Sequence, residues 1–150
     1  MKQIIYVMQF KGKAVAANES GTVLKANTTA QSCAITSVAG SHGISGTLQP
    51  TGGAEAKFQS EVIFTGEASF QESGSISFGD NRHRLHFSTL GQGYIGPSAD
   101  PQLKQGGVIW KIDRGEGQFE GATGVITSNF FVGPAGEVTD NHFGVIFLKE

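Results

Sequence analysis

The stretch Gly115-Glu-Gly-Gln-Phe-Glu-Gly-Ala-Thr-Gly124 places four glycines around one aromatic residue, Phe119, and passes directly into the strand-like run Val125–Val132. Glycine accepts positive φ and close backbone approach without a Cβ penalty. Within a β pattern it marks a bulge, a bend or a tight corner. The stretch therefore predicts a sharply bent hairpin, folded around a buried ring, in a closed or strongly coiled sheet.

Strand signals recur along the rest of the chain, whereas no long window has the apolar spacing of a helix. Phe58, Val62, Phe64, Ala68 and Phe70 alternate with polar residues, and Gly66 predicts a bend within this long segment. Turns are predicted at Gly79–Asn81 and Gly133–Gly136, a break at Asn27–Thr29, and a long loop, forming a lid or a rim, at 91–104.

About eight to ten strands follow, joined mainly by hairpin-length turns, which is typical of an up-and-down barrel or a sandwich. We predict an all-β fold, a single-domain antiparallel β-barrel of about eight strands that spans residues 1–150. An eight-stranded barrel has room for packed side chains or for one small ligand.

Composition excludes several function classes. The formal net charge is −2 and no block of Lys and Arg is present, whereas nucleic-acid binding normally requires a basic surface. The single cysteine, Cys33, excludes an internal disulfide and is predicted to be a small buried side chain. No apolar run is long enough for a membrane span, and the N-terminus lacks a signal-peptide pattern, so a cytoplasmic location is predicted.

The glycine-rich element carries a family resemblance. Together with Val108-Ile-Trp-Lys-Ile112 before it, Phe143-Gly-Val-Ile-Phe147 after it and the opening run Tyr6–Gly12, it resembles the barrels of allene oxide cyclases and dirigent proteins. The resemblance implies an allene oxide cyclase-like barrel fold more strongly than an activity. It places Val7 and Gln9 where allene oxide cyclases carry an acid and an amide, so the acid is absent here. It indicates a bacterial-type or other non-plant relative of unknown role.

Polar residues near the end of the chain are the first candidate site. Within Thr139–Gly144, alternation places Asp140 and His142 on one strand face and Asn141 on the other. Asn129 lies in the preceding predicted strand, and pairing across the Gly133–Gly136 turn would bring it opposite Asn141. Buried polar groups need hydrogen-bond partners. These residues are therefore ligand contacts, members of a structural hydrogen-bond network, or part of a solvent-exposed face. The resemblance adds Gln9 as a further candidate ligand contact.

The run Arg82-His-Arg-Leu-His-Phe87 is the second candidate. Arg84 and His86 share one strand face, which is either solvated or holds an anion, since arginine binds carboxylates through paired hydrogen bonds. His83 points to the opposite face from His86, and zinc needs three or four convergent ligands. No metal and no cofactor are therefore predicted.

Three functions remain open from the sequence. The first is binding of a small apolar or aromatic molecule in the barrel lumen. The second is a cofactor-free cyclase or isomerase acting on a hydrophobic substrate, and the third is a structural or interaction protein with a packed barrel. Neither nucleic acid nor a membrane is a predicted partner. The segment Ile4–Phe10 is apolar on both faces, so a homo-oligomer, a dimer or a trimer, is predicted.

Overall fold

The computed structural model describes all residues, Met1–Glu150, and is built almost entirely of strands. One 3₁₀ turn, Gly117–Phe119, interrupts them. The eleven strands are β1 Lys2–Ala16, β2 Val23–Ala30, β3 Cys33–Gly40, β4 Gly43–Pro50, β5 Ala56–Phe64, β6 Ser69–Phe78, β7 Arg84–Thr89, β8 Gly93–Pro97, β9 Lys104–Glu116, β10 Thr123–Val132 and β11 Glu137–Leu148.

Eight of these strands close into an antiparallel barrel. The order around the ring is β1-β2-β5-β6-β7-β9-β10-β11, and β11 pairs with β1 to complete it. Strand β8 continues the position of β7 in the wall, since it too pairs with β6 on one side and β9 on the other, while β3 and β4 pair only with each other. The predicted all-β barrel of about eight strands is confirmed.

The barrel interior is packed with aromatic rings in its middle. Phe58 stacks on Phe87 with ring centroids 5.4 Å apart, and Trp110 lies 4.5 Å from Phe87. Phe10 and His142 stack at 4.2 Å on the opposite wall. Because strand side chains alternate between two faces, each of these residues shares its parity with the other inward residues of its strand.

The glycine-rich stretch forms the predicted tight corner between β9 and β10. Gly117 has a φ of +63°, and the ring of Phe119 is 3% exposed beneath it. The backbone N–H of Gln118 donates to Nδ1 of His83 at 3.0 Å, which fixes the corner against the turn that leads into β7. Phe119 packs on Phe78 at 5.4 Å and helps to close this end of the barrel.

Three sequence-based expectations differ from the structure. Strand β2 continues through the expected break at Asn27–Thr29, because Thr28 faces inward opposite Phe58. The expected loop at 91–104 contains β8, whose backbone is held between β6 and β9. Cys33 is only half-buried, since the hairpin that it begins leaves the barrel.

Two glycines with nearly the same positive φ test the corner. Gly21 has a φ of +69° and open space around it, whereas a Cβ at Gly117 would overlap the backbone oxygen of Arg82 and lie 2.7 Å from Nδ1 of His83. We expect Gly21→Ala to lower the free energy of unfolding by about 1 kcal/mol through backbone strain alone. Gly117→Ala should lower it by about 3 kcal/mol, because the steric overlap adds to the strain. Urea unfolding measures both, and equal losses would contradict a crowded corner.

Candidate functional site

The barrel is hollow at the end opposite the Phe119 corner. A cavity of about 60 Å³ lies there, lined by ten apolar residues, among them Ala26, Phe70 and Phe130. The only other lining residues are Glu72 and Asp140, so two acids face an otherwise apolar space.

A wider vestibule of about 820 Å³, open to solvent, lies next to the cavity. Strand β8 and the segment after it, up to Lys104, form one side of this mouth, and the turn between β10 and β11 forms the other. Phe64 and Ile95 are among the residues that line both spaces, so the cavity and the vestibule adjoin each other. Part of the segment expected to form a lid or a rim therefore lines the mouth.

Glu72 is an acid held inside the barrel wall. It lies on β6, its side chain is buried, and Oγ of Ser60 donates a hydrogen bond of 2.6 Å to its Oε2. Its backbone is fixed on both sides by the Thr89 hydroxyl, which accepts from the Glu72 N–H at 2.7 Å and donates to the Glu72 carbonyl at 2.8 Å.

Burial raises the pKa of Glu72 to about 7. The hydrogen bond from Ser60 lowers this pKa, while the nearby carboxyl of Asp140 raises it further. The Trp110 indole lies close enough to lower it as well, although its Nε1 makes no hydrogen bond within normal limits. Glu72 is therefore a carboxylic acid that keeps its proton up to about neutral pH, because a buried charge is costly.

Asp140 is held on the facing wall by a buried polar chain. Its Oδ1 accepts from Oγ of Ser128 at 2.6 Å, and its Oδ2 lies 2.9 Å from Nε2 of His142. His142 is 1% exposed and is enclosed by Phe10, Phe58 and Trp110. Both oxygens of Asp140 thus have partners, which fixes the orientation of the carboxyl toward the cavity.

Two carboxyl groups at one apolar cavity give a donor and an acceptor in the same space. A carboxyl that stays neutral near pH 7 donates a proton or a hydrogen bond, and a second acid in a polar setting accepts one. Strongly shifted pKa values of this kind concentrate at functional sites. The arrangement is chemically suited to bind, or to protonate, an oxygen atom on a mainly apolar molecule.

Known proteins match this chain through structure rather than sequence. No family model and no curated protein matches it. The structure of a pterocarpan synthase dirigent protein matches with a TM-score of 0.60 at 14% identity, covering 99% of this chain and 89% of that one.

The chain has the dirigent-like barrel fold. The resemblance drawn from the glycine-rich element and the first strand is therefore confirmed for the dirigent barrel. At 14% identity the match establishes the fold alone and assigns no substrate.

Of the predicted site residues, only His142 lies inside the dirigent-like barrel. Gln9, Asn129 and Asn141 are on its outer face, in register on β1, β10 and β11. The Gln9 amide donates to Oδ1 of Asn141 at 3.0 Å, and the Asn141 amide donates to the backbone oxygen of Asn129 at 3.5 Å. The expected approach of Asn129 to Asn141 is confirmed, but it forms an external ladder of amides. A ligand-binding role for these three residues stays a prediction, and it concerns the outer surface.

Arg84 and His86 also face outward, beside a β-bulge between β7 and β9. Nε of Arg84 lies 4.0 Å, and Nε2 of His86 3.5 Å, from Oε2 of Glu116. Arg114 donates to the same carboxyl at 3.2 Å and is the main reason that its pKa is lowered. The carboxylate that this cluster holds is thus one of the protein's own, and contact with an external anion stays a prediction.

Sequence reasoning missed Glu72 altogether. The signal was present, because Glu72 continues the parity of Phe70 and Ile76, which face inward on the same strand. An acid among the apolar inward positions of this strand is the signal that identifies the site.

No group of three or more His, Cys, Asp or Glu side chains is arranged to hold a metal ion. The structure contains no helix that is long and apolar enough to cross a membrane. The absence of a metal and a cofactor and the cytoplasmic location stay predictions.

The raised pKa of Glu72 predicts a specific pH dependence of stability. The folded protein keeps the Glu72 proton up to about pH 7, whereas the unfolded chain loses it near pH 4.5. Between these values the folded state binds more protons, so the free energy of unfolding falls as pH rises and levels off above about pH 7. We expect Glu72 to contribute up to about 3 kcal/mol to this fall.

Glu72→Gln should abolish that contribution, because the amide stays neutral at every pH. The measurement is urea unfolding of wild type and variant at pH 5 and pH 8. The variant should gain stability relative to wild type at the higher pH. Glu61→Gln, the same change on the exposed face of β5, is the matched control. Its stability relative to wild type should be the same at pH 5 and pH 8. A wild-type-minus-variant difference independent of pH would refute the assignment.

Proposed function

We propose that this dirigent-like barrel binds a small, mainly apolar molecule through its open mouth, with Glu72 and Asp140 as the polar contacts. The observation that carries the proposal is the pair of acids at an apolar cavity that adjoins the vestibule. Burying a carboxyl in apolar surroundings is costly. A fold alone has no need of two such groups at the one hollow end of its core.

The sizes of the two spaces indicate how the ligand lies. A cavity of about 60 Å³ holds little more than two water molecules, whereas ligand pockets are usually about 300–1,000 Å³. The vestibule of about 820 Å³ falls within that range. The bulk of the ligand therefore occupies the vestibule between β8 and the β10–β11 turn, and one narrow end enters the cavity to meet the acids. An oxygen atom at that end of the ligand would accept a hydrogen bond from the protonated carboxyl of Glu72.

The second candidate function is a cofactor-free cyclase or isomerase, and the Glu72 carboxyl favours it. General acids work best when their pKa lies near the operating pH, and burial raises that of Glu72 to about 7. Here Glu72 donates a proton to a ligand oxygen, and Asp140, held by Ser128 and His142, stabilises positive charge or removes a proton. The matched structure is that of a pterocarpan synthase, and a shared fold supports an enzymatic role only by analogy.

Ligand binding is tested by blocking the cavity. Ala26 lines the cavity and faces inward from β2, so Ala26→Leu should fill it and lower the amount of bound molecule at least about tenfold. Native mass spectrometry of protein purified gently from its own host measures this occupancy. Ala34→Leu, the same substitution on the exposed β3, is the control and should keep the ligand. Thermal unfolding verifies that both variants are folded.

Wild type without any bound small molecule, under conditions that preserve other complexes, would argue against the binding function. It would favour the third possibility, a packed barrel that acts through its surface.

Catalysis is separated from binding by Glu72→Gln. If Glu72 is the acid, the variant should still carry a molecule but in its unreacted form. An isomerisation leaves the mass unchanged, so extracts of wild type and variant are compared by chromatography. Two different compounds of equal mass would support the enzyme, and one identical compound in both would leave the protein as a binding module.

A further inference from the structure

A polar depression lies on the outside of the barrel, across β2, β5, β6 and β7. Its volume is about 530 Å³, within the usual range of about 300–1,000 Å³ for small-molecule sites. Only one of its ten lining residues is apolar, and that residue, Phe87, has its ring in the lumen. We call this depression the polar groove. The side chains along it include Lys25, Asn27, Gln59, Glu61, Ser75 and His86.

The groove results from the sizes of neighbouring side chains in the sheet. Strand β6 supplies a floor of small residues, Ser73–Ser75, between the longer side chains of Gln59 on β5 and His86 on β7. No larger residue fits at Gly74, because a Cβ there would overlap the backbone oxygen of Gln59. A β-bulge between His86 and Phe87 bends the sheet at the same place. These features make the outer wall locally concave.

Hydrogen-bonding groups cross the groove in a row that follows the sheet register. Asn27 on β2 lies opposite Gln59 on β5, which lies opposite Ser75 on β6. His86 on β7 follows Ser75 in the same register. Because the row crosses four strands that lie about 4.8 Å apart, it is about 14 Å long.

The amides of this row are free. Asn27 and Gln59 make no hydrogen bond through their side chains, although the register places them opposite each other. Gln9 and Asn141, which stand in the same relation on β1 and β11, bond to each other at 3.0 Å. The amides of the groove therefore present both donors and acceptors to a molecule that lies in it.

The groove is balanced in charge. Its second row places Lys25 opposite Glu61, and Glu61 opposite Ser73. One basic and one acidic side chain face each other without an ion pair, so the groove favours neither an anion nor a cation. Amide and hydroxyl groups, which both donate and accept hydrogen bonds, dominate its chemistry.

We infer that the polar groove is a binding site for an oligosaccharide. Sugar hydroxyls both donate and accept, so they match the amides of Asn27 and Gln59 and the hydroxyl of Ser75. A row about 14 Å long spans more than one sugar ring. A largely apolar ligand is disfavoured, because it would leave these polar groups without partners.

The position of the groove distinguishes this ligand from a peptide strand. Peptides that extend a sheet need a free strand edge, whereas β2, β5 and β6 each have a paired neighbour on both sides here. The groove shares no lining residue with the cavity or the vestibule. Oligosaccharide binding is therefore independent of the proposed function.

The test titrates isotope-labelled full-length protein with four neutral sugars: cellohexaose, xylohexaose, mannohexaose and chitohexaose. Two-dimensional amide NMR spectra locate the binding site, measure the dissociation constant and verify that each variant is folded. Gln59→Ala removes an amide from the groove, and Ser75→Leu fills its floor. Gln49→Ala, the same change as Gln59→Ala on the exposed strand β4, is the matched control.

We expect at least one sugar to shift amide signals of β2, β5, β6 and β7 in a saturable way, with a dissociation constant below about 1 mM. Gln59→Ala and Ser75→Leu should each raise that constant at least about tenfold, and Gln49→Ala should leave it unchanged.

The absence of shifts with all four sugars at about 10 mM would overturn the inference. Shifts confined to residues of the cavity and vestibule would overturn it too, and would place the sugar in the ligand site proposed above. An unchanged dissociation constant in Gln59→Ala and Ser75→Leu would refute the assignment of the groove. If inorganic phosphate shifted the same amides and displaced the sugar, the groove would be an anion site instead.

Discussion

The pairing of β9 with β10 is the constraint on which the rest of the structure depends. The two strands are joined through the Phe119 corner and pair from Lys111–Val125 to Lys104–Val132. Without this pairing the sheet would be an open ribbon with two free edges. With it, every strand of the ring has two neighbours. Alternate side chains along each strand then point either into the lumen or out of the barrel. The glycines at 115 and 117 permit it, because a Cβ at either position would overlap a backbone oxygen.

Closure creates a lumen that is filled unevenly. The aromatic belt of Phe58, Phe87 and Trp110 packs the middle, and the Phe119 corner closes one end. At the other end the inward positions include Ala26, Glu72 and Asp140, which are smaller than the rings of Phe70 and Phe130 beside them, so space is left. The carboxyl groups of the two acids are held in place by hydrogen bonds from serine hydroxyls on neighbouring strands, Ser60 and Ser128. The same geometry appears on β5–β6 and on β10–β11: a serine on one strand donates to an acid on its partner.

The outside of the barrel divides in a comparable way. Polar and charged clusters, such as Glu116 with its three basic neighbours, cover the β7–β9 side. The β1, β11 and β10 side exposes apolar side chains, among them Ile5, Val7 and Phe143, beside the ladder of amides. The hairpin of β3 and β4, which contains no Asp, Glu, Lys or Arg, begins beside Val7 on this same side. The hollow end and this surface are structurally separate parts of one fold.

The sequence by itself determined the class of fold, the corner at Phe119, the turn at Gly133–Gly136 and the pairing of Asn129 with Asn141, because period-two alternation and glycine placement are local properties. It also placed Asp140 and His142 on a common face. Only the tertiary structure decided which face is the interior, and this placed Gln9, Asn129 and Asn141 outside and Glu72 inside. Only the tertiary structure likewise revealed that β8 is a strand and that β3 and β4 form a separate hairpin. A strand pattern fixes which residues lie together, but inside and outside exist only after distant strands such as β1 and β11 have paired and the barrel has closed.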